Sequence, residues 1–158
     1  MQKITPFLWF DGFAEEAAKF YVSTFANSRI KDITRYGEAM PLPAGSVMTV
    51  SFELEGQSFV GLNGGPQFPF TEAISLAVSC ETQAELDAMW AKLTSDGGRE
   101  IQCGWLKDKY GLSWQIVPAM LGRLMTEGNP KKSAAMMQAI MGMVKLDIAK
   151  LQTAYNNG

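Results

Sequence analysis

The sequence predicts an α+β fold made of two βαβββ modules in tandem, with a helical extension at the C-terminus. Three observations carry this reading. Short runs alternate apolar and small or polar residues at strand spacing, amphipathic helical segments interrupt them, and the order β-α-β-β-β occurs twice. Glu16, Phe20 and Tyr21 in the first helical segment correspond to Glu85, Met89 and Trp90 in the second, about 69 residues on. The 158 residues are expected to form one domain, with 1–66 as the first module, 67–118 as the second and 119–158 as the helical tail.

Each element has its own signal. Ile4 to Phe10 is an apolar run with Thr5, Phe7 and Trp9 on one parity, a strand closed by the Asp11-Gly12 turn. Ala14 to Phe25 places Ala17, Ala18, Phe20, Tyr21 and Phe25 at helical spacing, with Glu15, Glu16 and Lys19 outside. Arg29 to Tyr36 reads as an exposed strand, and residues 37–45, with Pro41 and Pro43, as a loop. Val47 to Leu54 and Gln57 to Leu62 form a hairpin about Glu55-Gly56. After the Gly/Pro-rich NGGPQFPF the order restarts: a strand over Ala73 to Cys80, then a helix with Thr82 as N-cap and Glu85 completing a capping box. That helix turns Leu86, Met89, Trp90 and Leu93 inward and ends at Asp96-Gly97-Gly98. Glu100 to Cys103, Trp105 to Lys107 and Ser113 to Val117 read as short strands. Leu121 to Met125 is helical, Pro130 opens a further helix, and one long helix or two reach Tyr155.

Composition narrows the chemistry. Apolar residues are 47% and charged residues 19% of the chain, a globular rather than a disordered balance. Lys and Arg number 14 against 16 Asp and Glu, so no basic excess recommends a nucleic-acid partner. No apolar run approaches ~18 residues, so no membrane partner is expected. The opening MQKITPFLWF enters a strand pattern directly, without a signal peptide. Cys80 and Cys103 suit free thiols in a reducing compartment, and a cytoplasmic location is expected. The chain has no histidine. That excludes Ser-His-Asp and Cys-His nucleophilic catalysis and every metal site that needs an imidazole.

Strand parity points to a binding face. Ile74, Leu76, Val78 and Cys80 alternate with the smaller Ser75, Ala77 and Ser79; Met48, Val50, Phe52 and Leu54 alternate with Thr49, Ser51 and Glu53; Trp114 and Ile116 alternate with Ser113, Gln115 and Val117. The apolar set is expected to pack under the helices. The other set, with Thr5, Phe7, Trp9, Val60 and Leu62, is expected to line the opposite face, which is either a pocket or a solvated surface; Phe7, Trp9, Val60 and Leu62 suit the pocket better than open water. Thr5, Phe7, Trp9, Ser75, Cys103, Trp105 and Gln115 are the candidate ligand-binding residues. Phe7, Trp9 and Trp105 can stack a planar ligand, or serve as pocket wall or dimer seam. Gln115 either satisfies its amide internally, through Ser75 and Thr5, or orients a ligand.

The duplicated βαβββ order resembles the vicinal oxygen chelate superfamily, the glyoxalase-like fold. FLWFDGFAEEAAKFYVSTF, NGGPQF and above all CGWLKDKYGLSWQIVP resemble its PhnB-like subfamily, whose members often carry the label 3-demethylubiquinone 3-methyltransferase. The resemblance implies a homodimer embellished by the C-terminal segment. It also implies metal ligands, His, Glu or Gln, on the first, fourth, fifth and eighth strands. The matching positions here are Thr5, Val60 or Leu62, Ser75 and Gln115. Only Gln115 is a residue of that type, and no metal or other cofactor is expected. The methyltransferase label implies a methyl-donor site, yet GLNGG leads to Pro66 rather than to a helix start.

Two further groups carry possible chemistry. Cys103 and Lys107 on one side of a strand would form an activated thiol; packing beside a hairpin is the plainer role. Lys107 to Gly111 reads as a charged hairpin tip or a dyad. Met120, Met125, Met136, Met137, Met141 and Met143 suit a core, a dimer contact or an adaptable ligand surface. The expected function is metal-independent binding of a small hydrophobic or aromatic molecule. The alternatives are an enzyme of the vicinal oxygen chelate type (lyase, isomerase or transferase) and a quinone methyltransferase.

Overall fold

Each sheet has a parallel pair of strands at one edge and antiparallel pairs beyond it. The structure is a computed structural model that describes residues 2–158. The chain divides into two compact units, one ending at Phe70 and one running from Thr71 to Gly158.

The first unit holds β1 (Phe7–Phe10), α1 (Ala14–Thr24), β2 (Arg29–Arg35), β3 (Val47–Leu54) and β4 (Gln57–Asn63). The sheet order is β1-β4-β3-β2, with β1 parallel to β4 and the remaining pairs antiparallel. Glu55 and Gly56 both take positive φ, 50° and 81°, the backbone that a tight hairpin needs. Ala14, Ala17, Ala18, Phe20 and Tyr21 of α1 are buried with Leu8, Phe10, Val50, Phe52, Leu54 and Phe59. A Cβ at Gly61 would lie 3.2 Å from the Ala14 Cβ, so the small residue on β4 sets how closely the helix approaches the sheet. The helix start is capped from a distance. Phe13, its N-cap residue, makes no side-chain cap, and the buried Asn63 instead accepts from the Ala14 N–H at 2.9 Å and donates to the Val47 carbonyl at 3.1 Å.

The second unit repeats the pattern with β5 (Ser75–Cys80), α2 (Gln83–Leu93), β6 (Arg99–Glu100), β7 (Trp105–Lys107) and β8 (Ser113–Pro118), in the order β5-β8-β7-β6. Here too the edge strand β5 runs parallel to its neighbour β8, and the remaining pairs are antiparallel. The predicted N-cap is present: Thr82 Oγ1 accepts from the Glu85 N–H at 3.1 Å, and the Glu85 carboxylate reaches back to the Glu81 N–H at 2.9 Å. Leu86, Trp90 and Leu93 are buried with Cys80, Leu106, Trp114 and Ile116, while Met89 is half-buried. The tail forms α3 (Ala119–Glu127), α4 (Pro130–Ile140) and α5 (Ile148–Asn156), with Pro130 at the start of α4 as expected. Gln83 ties it to α2, accepting from the Ile148 N–H at 2.8 Å and donating to the Leu146 carbonyl at 3.1 Å.

The strand edges differ from expectation in three places. β1 begins at Phe7 and β5 at Ser75, leaving Ile4 and Ile74 outside the sheets and 84% and 62% exposed. The third correction concerns the candidate Cys103. β6 stops at Glu100, and Cys103 and Gly104 adopt φ of 61° and 85°, a left-handed turn that no strand accommodates. Their N–H groups donate to the Met143 and Val144 carbonyls, each at 2.8 Å. The tail therefore supplies the pairing that a longer β6 would have supplied.

Candidate functional site

The indole N–H groups sort the four tryptophans. Trp90 donates to Glu100 at 2.8 Å and Trp114 to Asp108 at 2.9 Å; both side chains are buried against the core. Trp9 donates to the Gly65 carbonyl at 2.8 Å, and its ring meets Phe68 edge-on with centroids 4.8 Å apart. A Cβ at Gly64 would come within 2.2 Å of that ring, so Gly64 of NGGPQF makes room for Trp9. Trp105 is half-buried, and its indole makes no hydrogen bond among the described residues. A buried or half-buried indole normally finds an acceptor. Of the two sheet-face tryptophans in the candidate set, one is committed to its own loop and the other is uncommitted.

Register places the neighbours of Trp105. Trp105 on β7 stands opposite Gln115 on β8, which stands opposite Ala77 on β5. One step along the strands, on the same parity, a second row crosses all four strands: Ser75, Ser113, Lys107 and Arg99. Leu76, Trp114 and Leu106 form the row between them and face α2. The two rows thus occupy the face away from α2.

Within these rows Gln115 Nε2 donates to Ser75 Oγ at 2.9 Å. That bond orients the amide and leaves its carbonyl oxygen as a fixed acceptor. Lys107, with its side chain 14% exposed, forms an ion pair with Glu72, which lies just ahead of β5 and is largely exposed. The hydrogen bond from Lys107 holds the Glu72 carboxyl below the ordinary carboxylate range. Ser113 is 1% exposed, and among the described residues its hydroxyl is the one buried side-chain polar atom with no hydrogen-bond partner.

The turn between β7 and β8 is held by a residue that sequence reasoning read only as part of a charged tip. Asp108 is 3% exposed and accepts from the Tyr110 and Leu112 N–H groups, at 2.9 and 3.1 Å, and from the Trp114 indole. Its spacing to Gly111 is a turn signal, and Gly111 does take φ of 88°. The clamp fixes where Lys107 and Ser113 emerge on either side of the turn.

The remaining candidates fall elsewhere. Thr5 is half-buried ahead of β1 and Phe7 is 61% exposed. Thr5 lines a groove of about 440 Å³ in the first unit, with Gln2, Lys31, Ser51, Glu53, Ser58 and Val60. Cys103 sits in the turn before β7, so it does not share a strand face with Lys107, and the activated-thiol arrangement is not formed. Cys80 is fully buried, and burial, with Glu85 nearby, pushes its thiol up to about 11. Of the tail methionines, Met136 is in the core and Met125, Met137 and Met141 are exposed.

The positions that correspond to metal ligands do not fit a divalent cation. Thr5 and Ser75 are neutral hydroxyls, Val60 and Leu62 carry no donor, and Gln115 offers a single neutral amide oxygen. Lys107 also places a positive charge on this face. Among the described residues no group of three or more Cys, Asp or Glu converges as a cation site.

Comparison with known proteins agrees with this architecture. The family profile described as 3-demethylubiquinone-9 3-methyltransferase matches residues 2–117. The solved structure of the PhnB protein from Bacillus cereus, described as a 3-demethylubiquinone-9 3-methyltransferase, is 43% identical, with 75% of this chain and 100% of that chain covered and a TM-score of 0.68. Protein PA1353 from Pseudomonas aeruginosa shares the fold at 19% identity, with 75% and 98% covered and a TM-score of 0.60. A glyoxalase/bleomycin resistance protein from Albidiferax ferrireducens T118 is 14% identical over 74% of this chain and 98% of that one, with a TM-score of 0.49. No functionally curated protein matches. The chain belongs to the 3-demethylubiquinone-9 3-methyltransferase family.

Proposed function

We propose that the protein binds a small, flat aromatic molecule on the face of the second sheet away from α2, without a metal. The observation that carries this reading is the uncommitted Trp105 indole, paired in register with a Gln115 whose amide is pre-oriented by Ser75. A half-buried indole offers a stacking surface and a donor at its edge, and a fixed amide oxygen offers directionality. Ordering these groups before the ligand arrives lowers the entropic cost of binding. The free thiols at Cys80 and Cys103 suit a protein working in the cytoplasm, and the exposed Phe7 suits a homodimer seam.

The family description favours a second reading, transfer of a methyl group to a quinone-type substrate. A flat aromatic site accommodates such a substrate. The Gly-rich segment that would be the natural cradle for a methyl donor instead packs Trp9.

Calorimetric titration with 2-naphthamide, a neutral planar probe, separates the readings. Saturable binding that weakens about tenfold in Trp105→Leu, the loss of one stacked ring, is the expected result. Gln115→Ala should also weaken it while leaving the melting temperature nearly unchanged. A fall in melting temperature with binding changed only in parallel would make Gln115 structural. Binding of S-adenosylmethionine to the wild-type protein would promote the transferase reading.

A further inference from the structure

The row beside Trp105 and Gln115 has its own chemistry. Ser75, Ser113, Lys107 and Arg99 follow one another across β5, β8, β7 and β6, so two hydroxyls and two cations share one line on the face away from α2. The nearby acid is Glu72, and it is not part of the sheet: it reaches Lys107 from the segment ahead of β5 and keeps 60% of its own side chain exposed. Lys107 is the reverse, 14% exposed, so the ammonium is fixed in the face and the carboxylate is the movable partner. Beside Lys107 in register lies the Ser113 hydroxyl, buried and without a partner. A buried hydroxyl without a partner is unfavourable, so its presence calls for an explanation.

We propose that this row is an anion subsite: Lys107, Ser113 and Ser75 receive the carboxylate of a flat aromatic acid whose ring lies on Trp105, and Glu72 holds the place while no ligand is bound. The proposal rests on the aromatic-binding reading and adds the charge of the ligand to it. Lys107 can only donate, and both serine hydroxyls can donate, so the group they share must be an acceptor. A carboxylate offers two oxygens and about four lone-pair directions, enough for donors on adjacent strands about 5 Å apart. Glu72 is itself a carboxylate on Lys107, which shows the geometry that the ammonium accepts. Displacing it exchanges one ion pair for another at little net cost in Coulomb energy. The new ion pair adds a hydrogen bond to Ser113 that the Glu72 pair leaves unmade.

Paired titrations with 2-naphthoate and 2-naphthamide test this, because the two probes differ in charge and hardly in shape. Wild-type protein should prefer the naphthoate. Glu72→Gln removes the internal competitor and should tighten naphthoate binding several-fold while changing naphthamide binding less than about twofold. Lys107→Met should weaken naphthoate about tenfold or more, and Ser113→Ala about fivefold, again with little effect on naphthamide. Glu72 is largely exposed, so its substitution leaves folding intact and keeps the test valid even if Lys107→Met is unstable. Equal affinity for the two probes, unchanged by Glu72→Gln, would overturn the anion subsite and leave the aromatic reading standing. Binding of neither probe to the wild-type protein would overturn both.

Discussion

The two modules share a strand order and differ in what each does with the tryptophan on the sheet face away from its helix. In the first, Trp9 is locked by the Gly65 carbonyl and Phe68, and the loop after β4 is shaped around it. In the second, β6 and β7 are only two and three residues long, the tail carbonyls of Met143 and Val144 complete the pairing, and Trp105 is left without a polar partner. The strands around Trp105 are short, and Asp108 fastens the turn beside it. Duplication supplied two equivalent faces. The first closes over its aromatic residue with its own loop, and the second holds a half-buried indole beside a firm turn.

The largest expected effect comes from breaking that frame. Asp108→Ala removes the acceptor of two backbone N–H groups and one indole in a buried setting, and should cost about 3–5 kcal/mol in urea unfolding. A loss under about 1 kcal/mol would show that the turn holds without the clamp. The comparison itself is sharpened by one pair of variants. Trp9→Leu should destabilise by about 2–3 kcal/mol, through a lost ring contact, a lost hydrogen bond and a void beside Gly64. Trp105→Leu should cost less than about 1 kcal/mol, because it leaves no acceptor unpaired, and its effect should fall on binding. Equal destabilisation by the two would dissolve the distinction.

The smallest effect is on pH dependence. Burial raises the folded-state pKa of Cys80 to about 11, above its ordinary value. The folded state therefore binds the proton more tightly than the unfolded chain. The contribution is complete below the ordinary thiol range and is lost as pH rises from there through about 11. Cys80→Ala should flatten the decline in stability over that alkaline window. In native protein at neutral pH, a thiol reagent should label Cys103 and spare Cys80. Prompt labelling of both thiols would contradict this burial.

Much of this arrangement is legible in local sequence patterns. The repeat, the strand parity, the Thr82 cap, the Glu55-Gly56 hairpin and the start of α4 at Pro130 each depend on residues a few positions apart. The Gln115–Ser75 bond was also within reach, because parity puts both on one face and a strand amide needs a partner. What escaped the sequence depends on distant partners. Asn63 caps a helix 49 residues earlier in the chain, and nothing near Ala14 announces it. Cys103 reads as strand because its neighbours are strand-like, but the tail segment at Met143 and Val144 draws the backbone into a left-handed turn. Asp108 sits between two lysines and looks solvated until Trp114 is seen to point back at it. Ser113 is the clearest case: its type says nothing, and only the combination of full burial with an unmet hydroxyl marks it. Lys107 and Arg99 become neighbours of Ser113 only through a register that composition cannot supply.

The most direct test is nitrogen-resolved NMR of the four indole N–H groups, with 2-naphthamide added in steps. Three of these groups are hydrogen-bonded, at Trp9, Trp90 and Trp114, and Trp105 has no such bond among the described residues. The account predicts that the Trp105 signal exchanges fastest with solvent in the free protein and shifts most as the probe is added, while the other three stay nearly fixed. A spectrum in which Trp9 responds and Trp105 does not would move the binding surface to the first module and contradict the account.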